Sequence, residues 1–201
     1  MAAPIQHEVG VIHHVVRSTV ATERLLILGE ASCGKTALLR ALCGGAAPRE
    51  YAQTSAPAVS ACAVAVPASG AAAAASVNFI LVDVPGGTVY NMRPGSDLSR
   101  GLLGAVGAVA ICFSVDSRES LSAAGKWLRL APPGVPGVLV GCKADLRGAE
   151  RAVVGGAEAG AMAASLGLHY FEASANSGEG VRAPFEWLAG EVAAGAAAKE
   201  A

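Results

Sequence analysis

An α/β domain is what the sequence predicts: a six-stranded, mostly parallel sheet with one antiparallel edge strand and helices on both faces. Three observations carry this prediction. Short apolar runs alternate with helix-length stretches along the chain. One pair of runs is joined only by the turn Pro67 to Ala75, which makes that pair an antiparallel hairpin. The segment Gly29-Glu30-Ala31-Ser32-Cys33-Gly34-Lys35-Thr36 sets a glycine-bounded turn between a strand and a helix. Crossovers between parallel strands are right-handed, which puts helices on both faces.

The first strand is read over Arg24–Leu28, from the apolar Leu25-Leu26-Ile27-Leu28, and helix Lys35–Cys43 follows it. Val59–Val66 and Val77–Asp83 form the hairpin, and Ala108–Val115 is the next strand. Helix Ser117–Leu130, strand Gly137–Cys142, helix Gly155–Leu166, strand His169–Ala173 and helix Gly180–Ala194 complete the order. In the last helix Phe185, Leu188 and Val192 share one face at i, i+3 and i+7 and are expected in the core. Trp187 points roughly the other way and hints at a partner surface. Residues 1–22 and 195–201 are read as tails flanking one domain, 23–194.

Composition bounds the function. The 201 residues carry a net charge of −1 and no long charged run, which argues against a nucleic-acid surface. Apolar residues make up 53% but aromatics only 4%, and alanine about a fifth, so core-forming power is lower than the apolar fraction suggests. Cys33, Cys43, Cys62, Cys112 and Cys142 are odd in number and lack CxxC spacing, against a disulfide framework or zinc knuckle. The uncharged stretch Tyr51 to Val82 is interrupted by Pro57 and Pro67 and is better read as two strands than as a spanning helix. The N-terminus has no basic-then-apolar leader, Met1-Ala2 is no myristoylation start, and Lys199-Glu200-Ala201 offers no prenylatable cysteine. A soluble intracellular chain without a membrane anchor is the expectation. His7, His13 and His14 fall in the N-terminal tail and read as solvated rather than metal-binding.

Gly29 to Thr36 fits the phosphate-binding loop G-x-x-x-x-G-K-[ST], with a strand before it and a helix after it. Successive backbone N–H groups from Glu30 through Ala31, Ser32, Cys33 and Gly34 can curl around a phosphate at a helix N-terminus. Lys35 would bridge the β- and γ-phosphates, and the Thr36 hydroxyl would ligate Mg²⁺. Downstream, Asp83-Val84-Pro85-Gly86 ends a strand as D-x-x-G: Asp83 is placed to hold Mg²⁺ through water, and the Gly86 N–H to meet the γ-phosphate. Cys142-Lys143-Ala144-Asp145 then resembles the guanine motif N-K-x-D of small GTPases, with cysteine for asparagine. The two oxygens of Asp145 can accept guanine's N1–H and amine, whereas adenine presents an acceptor there. Lys143 would lay its stem over the base. Glu172-Ala173-Ser174-Ala175-Asn176 is similar to the family's E-x-S-A-K, in which the Ala175 N–H would meet the guanine carbonyl.

With these four elements in order, Arg24 to Ala194 resembles a Ras-superfamily small GTPase domain, which implies GTP/GDP and Mg²⁺ as ligands, with Thr36, Thr54 and Asp83 as metal-side residues. Within the superfamily it is most similar to the Rab-like subunits of intraflagellar transport complex B. Tyr51-Ala52-Gln53-Thr54-Ser55, Pro136 to Gly141, and Ala183-Pro184-Phe185 with Leu188-Ala189 carry that likeness. It implies a slow GTP/GDP switch in cytoplasm and cilium or flagellum. It also implies a constitutive β-sandwich partner, intraflagellar transport protein 25, among other complex B subunits. A structural subunit that does not cycle nucleotide is the alternative.

Several residues depart from the family. Gly87 stands where active enzymes carry the glutamine that orients the attacking water, so no catalytic residue is assigned and hydrolysis is expected to be slow. Ala31 replaces a phosphate-loop glycine. Cys142 cannot reproduce the asparagine amide that bonds the base and ties down the phosphate loop. The stretch around Arg93 to Asp97 makes the second switch about five residues longer than usual for the family. Thr54 is the candidate for the first-switch threonine.

Overall fold

The computed structural model of the chain describes residues 18–45, 54–67, 75–87, 105–148 and 151–200. The first strand, β1 (Ser18–Leu28), leads through the glycine-rich turn into α1 (Lys35–Leu42). The edge strand β2 (Ala58–Ala65) pairs antiparallel with β3 (Ala75–Asp83). Strand β4 (Val106–Ser114) precedes two five-residue helices, α2 (Arg118–Ser122) and α3 (Ala124–Leu128). Strand β5 (Gly137–Cys142), a 3-10 turn over Ala144–Arg147, α4 (Gly156–Ser165), β6 (His169–Ala173) and α5 (Ala183–Glu200) follow.

The strands lie in the order β2-β3-β1-β4-β5-β6, parallel except for β2. Helices α1 and α5 cover one face, packing Leu38, Leu42, Phe185 and Leu188 onto Leu25, Phe79 and Val140. The other face is covered by α2, α3 and α4, with Leu121, Trp127 and Ala163 against Leu28, Ile111 and Phe113. Strands β1, β4 and β5 are therefore buried on both sides, and their unbroken apolar runs follow from that position. Because the five parallel strands end at the same edge, the loops after Leu28, Asp83, Ser114, Cys142 and Ala173 converge there.

Three differences from the sequence reading stand out, beside shifts of one to three residues at other element ends. Strand β1 begins at Ser18 rather than Arg24, because residues 18–23 pair with the start of β3 from Ser18↔Ala75 to Glu23↔Phe79, so residues 18–22 are strand and not tail. Helix α5 runs to Glu200 instead of ending in a tail at 195, since Ala193, Ala194 and Ala196–Ala198 are strong helix formers. The helix expected over Ser117–Leu130 is divided at Ala123 into two short helices. Phe185, Leu188 and Val192 are buried as their spacing predicts. Trp187 is half-buried and stacks on His169 with ring centroids 4.9 Å apart. The expected tail 1–17, with its three histidines, and the lengthened segment 88–100 lie outside the described residues.

Candidate nucleotide-binding site

The turn after β1 has a backbone that its sequence alone permits. Gly29 (φ 144°) has no room for a side chain, because a Cβ there would lie 2.1 Å from the Cys112 carbonyl oxygen. Ser32 (φ 62°) and Gly34 (φ 110°) are left-handed, so the chain curls before α1 begins. Lys35 is buried, and its ammonium donates to the carbonyls of Gly29 (2.8 Å) and Glu30 (2.7 Å), holding the neck of the loop closed. The Trp127 indole N–H donates to the Glu30 carboxylate at 3.1 Å and anchors the loop to α3.

Three side chains from separate elements meet at the first turn of α1. The Thr36 hydroxyl donates to Asp83 Oδ2 at 2.5 Å and lies 2.9 Å from the Thr54 hydroxyl. Asp83 is only 3% exposed, and its Oδ1 is buried without a hydrogen-bond partner. A buried carboxylate oxygen left unpaired costs about 1–3 kcal/mol. Two hydroxyls and an unsatisfied carboxylate form a hard, all-oxygen donor set that fits Mg²⁺. Gly86 presses on the same loop: a Cβ there would sit 2.1 Å from the Ala31 nitrogen, so only glycine allows the approach. At Gly87, by contrast, a Cβ would meet nothing within 4 Å.

On the other side of Gly34 opens a cleft of about 270 Å³, lined by Ala37, Leu38, Lys143, Asp145, Ala175 and Asn176 among others. Asp145 is fixed by the Ser174 hydroxyl, which donates to its Oδ1 at 2.5 Å, and Ser174 itself is fully buried. Lys143 takes a left-handed backbone (φ 62°), with its ammonium 3.5 Å from Asp116. Partial burial would raise the Asp116 pKa, but the Ser114 hydroxyl and the Lys143 charge together hold it below the usual carboxylate value. Cys142 is buried, and its Cβ lies 3.0 Å from where a Gly34 Cβ would be. Its thiol faces the Val140 carbonyl at 3.9 Å. Burial raises the pKa of the neighbouring Cys33 thiol to about 12, leaving it an inert filler of the loop.

The structure thus gathers Glu30 to Thr36, Thr54, Asp83 and Gly86 at one end, and Cys142, Lys143, Asp145, Ser174, Ala175 and Asn176 at the other, with the Cys142–Gly34 contact between them. Sequence reasoning missed the pair that locks the second end. Arg147 grips Glu172 with two bonds of 2.6 Å and also donates to the Val154 carbonyl at 2.9 Å, while the Tyr170 hydroxyl donates to Glu172. Against the effect of burial, these donors hold the Glu172 carboxyl below its ordinary range. Tyr170 is pushed up, by burial first and then by Glu172.

A model of the Ras family matches residues 24–194. The chain is 32% identical to the human intraflagellar transport protein 27 homolog over 173 residues, 83% of this chain and 87% of the relative. The cattle counterpart gives the same identity and coverage. It is also 34% identical to the GTP-binding protein RHO1 of Candida albicans over 180 residues, 81% of this chain and 84% of that one.

Proposed function

The chain belongs to the Ras family of small GTPases, and from that premise we propose that it is a Rab-like GTP/GDP switch with weak intrinsic hydrolysis, serving intraflagellar transport. The observation that carries the nucleotide reading is the meeting of Thr36, Thr54 and Asp83 around an unsatisfied buried oxygen, beside a cleft that holds Asp145. In this reading the N–H groups of the loop from Glu30 to Thr36 receive the phosphates, and Lys35 exchanges its loop carbonyls for phosphate oxygens. Thr36, Thr54 and Asp83 hold Mg²⁺, which when bound offsets charge on the transferring phosphoryl group. Asp145, oriented by Ser174, selects guanine, and Lys143 covers the base.

Hydrolysis is slow because the chain supplies no side chain at Gly87 to orient water. The open space at that position means that chemistry is missing there, and room is not. The transport role draws on the likeness to the intraflagellar transport protein 27 homologs, and the matches to RHO1 proteins set the nearest competing role. Cytoplasm and cilium or flagellum are the proposed locations, and intraflagellar transport protein 25 with further complex B subunits the proposed partners. No helix among the described residues is long and apolar enough to cross a membrane.

A second reading, a structural subunit that does not cycle nucleotide, is favoured by Cys142, whose thiol makes no amide-like tie to the phosphate loop. The two readings separate in one experiment. The purified chain is loaded with GDP or a non-hydrolysable GTP analogue, and its affinity for the β-sandwich partner is measured in each state. Different affinities support the switch, and equal affinities with nucleotide bound support the structural subunit.

A further inference from the structure

The base cleft is polar along only part of its wall. Asp145, held by the Ser174 hydroxyl, comes from the 3-10 turn after β5, and the loop after β6 brings Ala175 and Asn176. Another stretch of the wall is apolar: Gly34, Ala37 and Leu38 at the start of α1, with Cys142 and Ala173 at the ends of β5 and β6. Cys142 is 3% exposed and packs against the phosphate loop, its Cβ 3.0 Å and its Sγ 3.6 Å from where a Gly34 Cβ would lie. The thiol's own donor contact is with the Val140 carbonyl, 3.9 Å away on the same strand.

Guanine carries more polar atoms than this cleft answers. Its N1–H and amine donate, and its O6 and N7 accept. In the guanine reading above, Asp145 accepts from both donors and the Ala175 N–H meets O6. N7 follows O6 round the ring, and among the described lining residues few side chains can donate to it. The Lys143 ammonium is drawn to Asp116 at 3.5 Å, and Asn176 is exposed. Cys142 has only a weak S–H donor, already turned to Val140.

We propose that Cys142 makes the site indifferent to N7 of the base. The cleft then takes 7-deazaguanine nucleotides, in which a C–H replaces that nitrogen, at least as tightly as guanine nucleotides. The inference rests on the guanine reading and adds to it a specificity-determining residue. An acceptor removed from water and left unpaired is penalised, whereas a C–H set against sulfur and aliphatic carbon is not. Cys142 fills the space beside Gly34 as a small, soft apolar side chain and gives up any polar contact with the base.

The test titrates the purified full-length chain in Mg²⁺ with GDP, 7-deaza-GDP and ADP, and repeats all three on Cys142→Asn and Asn176→Ala. Wild type should bind 7-deaza-GDP as tightly as GDP or more tightly. Cys142→Asn, which offers N7 an amide donor, should shift that ratio toward GDP by up to about tenfold, the effect of one neutral hydrogen bond. A wild type that binds GDP more than about twofold tighter than 7-deaza-GDP overturns the inference. If Asn176→Ala then abolishes that preference, the N7 contact belongs to Asn176. A ratio that does not move in folded Cys142→Asn overturns the role of Cys142, and if that variant does not fold, the wild-type ratio decides. Equal binding of GDP and ADP to wild type is a different result: it removes the guanine reading, and this inference with it.

Discussion

Replacing Asp83 with asparagine should stabilise the metal-free protein and abolish its response to Mg²⁺. In the absence of a cation, Asp83 Oδ1 is buried and unpartnered, while Oδ2 accepts from Thr36. An asparagine keeps an acceptor for Thr36 and exchanges the unpaired charged oxygen for an unpaired but neutral amide nitrogen, lowering the burial penalty by about 1–3 kcal/mol. For a chain of this size each kcal/mol moves the melting temperature by about 2–4 °C, so Asp83→Asn without metal should melt roughly 2–12 °C above wild type. With Mg²⁺ and GDP at about a hundred times their dissociation constant, wild type gains about 2.7 kcal/mol. The variant, lacking the carboxylate, gains little, and the order of stability reverses. Thermal melts of both proteins in chelator and in Mg²⁺ with GDP read this crossover. If Asp83→Asn melts below wild type in chelator, the protein already satisfies that carboxylate and the cation argument is wrong.

Other perturbations probe the rest of the site. Lys35→Ala should weaken nucleotide binding by about a hundredfold or more, through loss of charged hydrogen bonds, read by equilibrium titration. Arg147→Ala removes two 2.6 Å bonds to a carboxylate whose side chain is 27% exposed. It should cost about 2 kcal/mol, or roughly 4–8 °C in melting temperature. Because the Glu172 pKa is depressed in the fold, that contribution is present above the unfolded carboxyl value and is lost as pH falls through the folded one. The gap between wild type and Arg147→Ala should therefore begin to narrow as pH falls below the ordinary carboxyl value and close once it is below the depressed folded one. Single-turnover hydrolysis of bound GTP should run at or below about 10⁻⁴ s⁻¹ and rise in Gly87→Gln, for which the backbone leaves open space.

What the sequence made legible was local. The phosphate loop is eight consecutive residues whose glycines answer steric demands within the same turn, and Asp83 and Asp145 announce themselves at the ends of apolar runs. Thr54 stands in no motif of its own and is marked only by its place in the chain after the phosphate loop; its contact with Thr36 is a product of the fold. Contacts between distant residues had no such signal. Trp127 meets Glu30 across 97 positions, and Arg147 meets Glu172 across 25. None of these pairs leaves a periodicity or a motif. The ends of β1 and α5 were misjudged for a related reason. Pairing with β3 extends one, and the helix propensity of an alanine run extends the other.

The central claim, a guanine-specific nucleotide site, is tested most directly by equilibrium titration of the purified protein with fluorescent GDP and ADP in Mg²⁺, repeated on Asp145→Ala. GDP should bind on the order of a thousandfold more tightly than ADP, because adenine would leave the Asp145 carboxylate facing an acceptor. Asp145→Ala should lose that preference by weakening GDP alone. Equal binding of the two nucleotides to wild type would contradict the account.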